Sequence, residues 1–198
     1  MSDVQSKTAF EQELVRGCAE KSARHYHMLF DRYYGKMLNV CRRYAKNHEE
    51  AQDMVQEGFI RVYKNILQYK GEGSFEGWMR RVMVTTCINY YHKHHRQETV
   101  EYIDNLHLTY VADQSNGIEM NELKKDYDAE HLLKLVQNLP AGYRMVFNLH
   151  AIEGYSHFEI AEKLHITEST SRSNLAKARQ KLKQMILSPF AKKSIHHE

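Results

Sequence analysis

Only 2 prolines interrupt this chain of 198 residues, Pro140 and Pro189, both in its C-terminal half. Glycine is scarce too, with 9 in all. Proline and glycine are the strongest local breakers of regular structure, so sparse punctuation favours long helices over short strands. An apolar fraction of 42 % is enough for a real core, and the length suits one large domain or two small ones. The expected fold is all-α.

Apolar spacing places the helices. Thr8 to Glu20 reads as the first, with Phe10, Leu14 and Cys18 on one face. Ser22 caps a second that runs to about Lys46 and carries a broad stripe of Tyr26, Leu29, Phe30, Tyr33, Met37, Val40, Cys41 and Tyr44. Asn47 caps a third, His48 to about Tyr69, with Glu49 and Glu50 in its first turn, where acids suit the helix dipole. Gly71 to Ser74 is a loop, and a fourth helix runs from about Phe75 to His95. Periodicity fades from Gln97 to about Glu122, with a turn at Ser115-Asn116-Gly117. Asp126 or Asp128 then starts a helix bearing Leu132, Leu133, Leu135 and Val136, which Leu139-Pro140 closes. Pro140 suits the first turn of the next helix, Ala141 to Glu153, expected to bury Val146, Phe147 and either Leu149 or Ile152. Gly154 ends it. Pro189 stops the last helix, and a tail of residues 189–198 frays.

Between Gly154 and Lys183 two short amphipathic helices flank a turn at Leu164 to Thr167. Phe158, Ile160, Ala161 and Leu164 recur at helical spacing in the first, and Leu175, Ala178 and Leu182 in the second. The second helix is basic: from Ser169 to His197 there is no Asp or Glu, while Arg172, Lys177, Arg179, Lys181 and Lys183 fall in that run. A short helix, a tight turn and a basic helix form the pattern that lays a recognition helix in the DNA major groove. An ordinary helical hairpin with a solvated basic face has the same pattern.

Net charge is +3, and its distribution says more than its size. The stretch from Gln97 to Glu130 holds nine acids, Glu98, Glu101, Asp104, Asp113, Glu119, Glu122, Asp126, Asp128 and Glu130, against Lys124 and Lys125. Basic residues collect before it (Arg80, Arg81, Lys93, Arg96) and after it. Two basic lobes joined by an acidic connector suggest two contacts with nucleic acid. No run of about 18 apolar residues is present, so no membrane insertion is expected. Cys18, Cys41 and Cys87 are widely spaced and form no CxxC pair, which suggests idle thiols in a reducing cytoplasm.

The third helix contains Asp53-Met54-Val55-Gln56-Glu57-Gly58-Phe59. Val55, Phe59, Val62 and Ile66 form its core stripe, and Asp53, Gln56, Glu57 and Ile60 share a different face. That face is acid, amide and aliphatic, and its acids are expected to lack a basic partner one turn away. By periodicity alone, a plain solvated face is the simpler reading.

The combination resembles a known family. DMVQEGFIRVYKN, then SFEGWMRRVMVTTCINYY, then LPAGYRMVFNLHAIEGYSHFEIAEKLHITESTSRSNLAKARQKL are similar to the extracytoplasmic-function (ECF) group of bacterial RNA polymerase sigma factors, in the sigma-70 family. These keep only the second and fourth conserved regions of larger sigma factors. The resemblance spans about Leu14 to Leu182. It implies two small helical domains joined by a flexible acidic linker: region 2 over residues 8–96, the linker over 97–128, and region 4 with its helix–turn–helix over 129–188.

By the resemblance, Asp53, Gln56, Glu57 and Ile60 dock on the clamp helices of the polymerase β′ subunit, and the β subunit of core polymerase is a further partner. Acids and an amide accept charge-assisted hydrogen bonds from partner arginines, and Ile60 adds apolar contact. The -10 promoter element is read as a melted strand, which needs a pocket for an extruded base and cations for its phosphates. The pocket loop corresponds to Gln68, Tyr69, Lys70 and Gly71. Tyr69 offers a stacking face, Lys70, Arg81, Lys93 and Arg96 hold phosphates, and Asn89 reads a base edge. Many members have Asn where this chain has Thr85 and Asp where it has Asn89, which bears on the preferred -10 sequence. Trp78 is assigned to the core in preference to stacking. The -35 element is read as duplex: Arg172, Ser173, Asn174 and Lys177 face the bases, and Thr170 and Ser171 make phosphate or edge contacts. Arg179, Lys181 and Lys183 screen the backbone or solvate the helix. The usual turn glycine is replaced by His165, which tolerates a left-handed conformation at some strain, and Ser169 replaces another common Gly. An anti-sigma protein, found with many members, is a candidate partner.

Two rival functions are weighed. A stand-alone helix–turn–helix regulator would bind duplex DNA as a dimer. A metal-dependent nuclease would use the cluster His92, His94 and His95, of which His92 and His95 can share a helix face, but no third ligand for that pair is in evident reach, so a basic surface cluster is favoured and no metal or cofactor is expected. Asp53 and Glu57 resemble a paired carboxylate, yet no pocket, nucleophile or phosphate loop accompanies them, so no catalytic residue is assigned.

Overall fold

The computed structural model describes residues 2–94 and 128–187, with side chains from residue 9 onward. The acidic connector apart from Asp128, its turn at residues 115–117, Arg96 and the tail lie outside the described residues. Among the described residues every regular element is helical. The chain separates into two compact units, residues 1–90 and 91–198.

In the first unit, α1 (Ser2–Ala19), α2 (Ala23–Tyr44), α3 (His48–Lys64) and α4 (Phe75–His94) surround one core. Leu14, Leu29, Tyr33, Met37, Val55, Phe59, Phe75, Met79 and Met83 are fully buried there. Asn47 caps α3 as its sequence predicts, its side chain accepting from the Glu50 N–H at 2.8 Å. Ser22 precedes α2 but makes no side-chain cap; its hydroxyl bonds His25 Nδ1 instead. The third helix stops at Lys64, short of Tyr69. Asn65 ends it by donating its side-chain amide to the Arg61 carbonyl at 2.8 Å, and a 3-10 turn, Ile66–Gln68, follows. The Met83 side chain of α4 lies directly over Gly58 of α3. A Cβ at Gly58 would lie 2.2 Å from Met83 Sδ, so any larger residue must displace that side chain. Cys18, Cys41 and Cys87 are buried free thiols, and burial raises the Cys18 pKa to about 11.

In the second unit, Asp128 caps α5 (Ala129–Gln137), accepting from the His131 N–H at 2.6 Å. Leu135 is buried but Leu132 is 39 % exposed. After Pro140 the next helix is α-helical only over Ala141–Phe147 (α6) and continues as a π-helical segment, Asn148–Ile152. The Glu153 N–H reaches back to the Asn148 carbonyl, five residues away, at 3.0 Å. The wider turn rotates the following side chains, so Leu149 is buried and Ile152 is 44 % exposed. Arg144 is buried on α6 and donates from Nη1 to the Gln137 and Leu139 carbonyls, 2.7 and 3.1 Å away. The Gln137 carbonyl is the last of α5 and lacks a helical partner, and Leu139 lies in the turn beyond it.

Gly154, at φ +78, ends the π segment. Ser156 starts α7 (His157–Leu164) with a capping box: the Glu159 N–H donates to Ser156 Oγ, and Glu159 Oε2 accepts from the Ser156 N–H. These bonds hold the Glu159 carboxyl below its usual range. His165 turns the chain at φ 55, ψ 43, the left-handed conformation expected of it. Thr167 Oγ1 accepts from the Thr170 N–H at 3.0 Å at the entrance to α8 (Glu168–Leu187). Leu175 and Ala178 of α8 are buried against α6 and α7.

Candidate nucleic-acid interface

On α3 the residues divide cleanly by face. Val55, Phe59 and Val62, with Ile66 just beyond, are buried. Asp53, Gln56, Glu57 and Ile60 are all exposed, Ile60 by 46 %. At about 100° per residue they occupy one arc opposite the core stripe. One expectation is corrected. Glu57 does have a basic partner one turn on, since Arg61 Nε donates to its Oε1 at 2.9 Å. The i, i+4 spacing of Glu57 and Arg61 was a readable signal. The pair is surface-exposed, with side-chain exposures of 51 % and 35 %, so it is weak and exchangeable.

Tyr69 stands at the mouth of the loop after α3. Its hydroxyl donates to the Gly73 carbonyl at 2.8 Å and so closes the loop over residues 69–73. Gly71 and Gly73 inside it have φ of +81 and +76, which side-chain-bearing residues rarely adopt. The Tyr69 ring meets Phe75 edge-on, centroids 5.0 Å apart, and tilts against Trp78 at 5.9 Å. Trp78 stacks on Phe75 at 5.7 Å and 18°, yet it is only half-buried, so it belongs partly to the core and partly to this wall. Gln68 lies in the 3-10 turn, its amide donating to Asn65 Oδ1. Lys70 is exposed. Along α4, Arg81, Thr85 and Asn89 are exposed on successive turns, and Lys93 is exposed near the helix end. The Thr85 hydroxyl donates to the Arg81 carbonyl at 2.9 Å, which leaves its oxygen lone pairs facing out.

On α8 the expected set splits. Thr170, Ser173, Asn174 and Lys177 follow i, i+3, i+4, i+7 spacing and share one partly exposed face. Arg172 is exposed but lies about 200° around the helix from Thr170, on the other flank. Its Nη2 donates to Glu168 Oε2 at 2.7 Å. Ser171 is corrected: it is fully buried and its hydroxyl is engaged with His157 Nδ1 at 2.9 Å, so it presents nothing to a groove. It belongs to the buried stripe with Leu175 and Ala178, at i, i+4, i+7, and that spacing was legible. His157 in turn stacks on His150, centroids 4.5 Å apart at 13°. His150 Nδ1 donates to the Tyr155 carbonyl at 2.9 Å. Burial first, then the charges of His150 and Arg172, lower the His157 pKa from its ordinary 6.5. Arg179, Lys181 and Lys183 are exposed farther along the helix.

Helix α7, the left-handed turn at His165 and α8 define a helix–turn–helix protein, with a separate helical unit before it. Residues 29–97 match the family described as Sigma-70 region 2, and residues 129–182 match Sigma-70, region 4. An ECF RNA polymerase sigma-E factor of Haemophilus influenzae is 27 % identical over 185 residues, covering 89 % of this chain and 95 % of the relative. The RNA polymerase sigma-H factor of Pseudomonas aeruginosa is 26 % identical, covering 86 % of this chain and 90 % of its own. A solved sigma factor from Bartonella quintana, crystallised with the anti-sigma factor NepR, aligns over 84 % of this chain and 99 % of its own, at 15 % identity and a TM-score of 0.48. The chain belongs to the sigma-70 family, in its ECF group, and is a promoter-directing sigma factor. No described helix is long and apolar enough to cross a membrane.

Proposed function

We propose that the chain acts as three successive parts: a polymerase-docking and -10-reading domain over residues 8–96, a linker over 97–128, and a -35-reading domain over 129–188. Asp53, Gln56, Glu57 and Ile60 dock on the β′ clamp helices of core RNA polymerase. Tyr69 and Lys70, with Arg81, Thr85, Asn89, Lys93 and Arg96, hold the melted -10 strand, aromatic faces taking bases and cations taking phosphates. Thr170, Ser173, Asn174 and Lys177 enter the -35 major groove, and Arg172 reaches it from the flank. Arginine pairs with guanine and asparagine with adenine at such base edges. The protein performs no chemistry of its own: it places the polymerase, in the cytoplasm, and helps open the duplex.

The observation that carries this reading is the division of α3. A face of two acids, an amide and an isoleucine stands in solvent opposite a fully apolar core stripe. Such a face fits a partner rich in arginine better than it fits DNA, whose phosphates repel it. The test is transcription of a promoter library by core polymerase with and without the chain. Run-off product is expected only with the chain present, and is expected to fall at least tenfold for the Asp53→Ala, Glu57→Ala double variant, since truncating such partners in a desolvated interface costs about 2–5 kcal/mol. Product that survives the double variant overturns the docking assignment.

A further inference from the structure

One buried acid in the first unit has no part in the functions above. Glu11 on α1 is only 8 % exposed, and its Oε1 accepts a hydrogen bond from the Tyr33 hydroxyl of α2 at 2.9 Å. Burying a carboxylate is unfavourable unless it is bonded, so a solvated residue would serve better if α1 merely covered the core. The hydroxyl it engages leads somewhere specific. The Tyr33 ring meets Phe75 edge-on, centroids 5.7 Å apart at 77°. Phe75 in turn carries both Tyr69 and Trp78. Four aromatic rings therefore run from the Glu11 carboxylate to the wall of the loop at residues 69–73. Helix α1 also packs directly on the 3-10 turn that leads into that loop. Burial, then the Glu11 bond, raises the Tyr33 pKa to about 12, so the hydroxyl keeps its proton and acts as a fixed donor. Burial first, and then the charge of Glu11, raises the Tyr69 pKa as well, which places the acid within electrostatic reach of the reading loop.

We propose that Glu11 is a positioning residue for -10 recognition: through the Tyr33 hydroxyl it fixes the Phe75, Trp78 and Tyr69 rings in the orientation that receives an extruded base. Helix α1 then tunes which base is accepted without touching DNA. The inference rests on the assignment of Tyr69 to the -10 loop. A ring wall held at one angle discriminates among bases by shape, and a wall free to tilt loses that discrimination first and total binding later.

The test uses reconstituted holoenzyme on promoters carrying each of the four bases at the extruded position, with 2-aminopurine fluorescence reporting extrusion. Tyr33→Phe keeps the ring and deletes the donor. It is expected to shrink the preference for the favoured base about fivefold, with affinity for core polymerase unchanged. Glu11→Gln keeps an acceptor oxygen and is expected to retain the preference within about twofold, whereas Glu11→Ala matches Tyr33→Phe. Equal losses at all four bases, or an unchanged preference in Tyr33→Phe with a lowered melting temperature, would mean the bond is structural only and would overturn the proposal. Tyr69→Ala separates the two claims. If it changes base preference while Tyr33→Phe does not, the positioning role fails alone. If neither changes it, the loop assignment fails too.

Discussion

Ser171 and Arg172 are neighbours in sequence and face opposite environments. Ser171 ties α8 to α7 through His157, while Arg172 stands in solvent against Glu168. Arg172→Ala is accordingly expected to relax preference at one upstream base pair by about 1–3 kcal/mol. Lys183→Ala, farther along α8, is expected to weaken binding evenly across sequences and reduce the salt slope by about one. Holoenzyme binding to a set of -35 variants at several salt concentrations checks both; equal, sequence-independent losses would misplace the reading face. Acid should disturb the same corner. His157 titrates below its ordinary 6.5 because burial, His150 and Arg172 all disfavour its charge. The unfolded chain then binds a proton first as pH drops, so stability is full above about pH 6.5 and is lost as pH falls through the window below it. Thermal melts between about pH 7 and pH 5 should show this loss, and His157→Asn should flatten it.

At the scale of elements, the helix–turn–helix is held by its ends. Ser156→Ala removes one side of the capping box and is expected to lower stability by about 1 kcal/mol. His165→Gly relieves a side chain held at φ 55 and is expected to raise stability by about 0.5–1 kcal/mol. Chemical denaturation of each variant gives the sign. Gly58→Ala should destabilise by about 1–3 kcal/mol, because α4 leaves no room beside Met83. The cap at Asn47 and the strained turn at His165 were legible, and the cap of α5 was legible as Asp126 or Asp128, because each is a local competition between one side chain and its own backbone. The early stop of α3 was not, because Asn65 wins the Arg61 carbonyl only by a local competition that leaves the apolar period intact. The π segment after Phe147 was equally hidden: periodicity does not distinguish a five-residue from a four-residue hydrogen bond until Leu149 has a core to enter. In the candidate site, the exposed face of α3 followed from helical period alone. The aromatic wall did not, because Tyr33 is far from Tyr69 and Phe75 along the chain and meets Phe75 only in the folded unit.

For the whole molecule, the proposed division of roles makes the contributions of the two units separable by experiment. Removing the -35 element from a promoter should abolish the effect of Arg172→Ala while leaving that of Tyr69→Ala intact. Total product from every promoter should fall together when Asp53 and Glu57 are replaced, since docking then limits complex formation. Abortive-product assays on matched promoters with and without the upstream element measure this directly. Persistence of the Arg172→Ala effect on promoters lacking the element would indicate that α8 acts elsewhere.

The exposed pairs Glu57–Arg61 and Glu168–Arg172 give each unit an internal competitor. In the free protein, Arg172 is already answered by a carboxylate, and so is less available to any passing phosphate. Exposed pairs of this kind are worth about 0.2–1 kcal/mol, small beside a specific contact but comparable with a single non-specific one. On the proposed -35 role of Arg172, stray DNA would displace Glu168 for little return, whereas a correctly spaced guanine would offer two bonds for the exchange. On the proposed docking, the same swap on α3 exchanges Arg61 for a partner cation at Glu57. On the proposed -35 role of α8, self-screening of this sort disfavours random duplex, and because salt weakens the exposed Glu168–Arg172 pair, the discrimination is expected to depend on ionic strength.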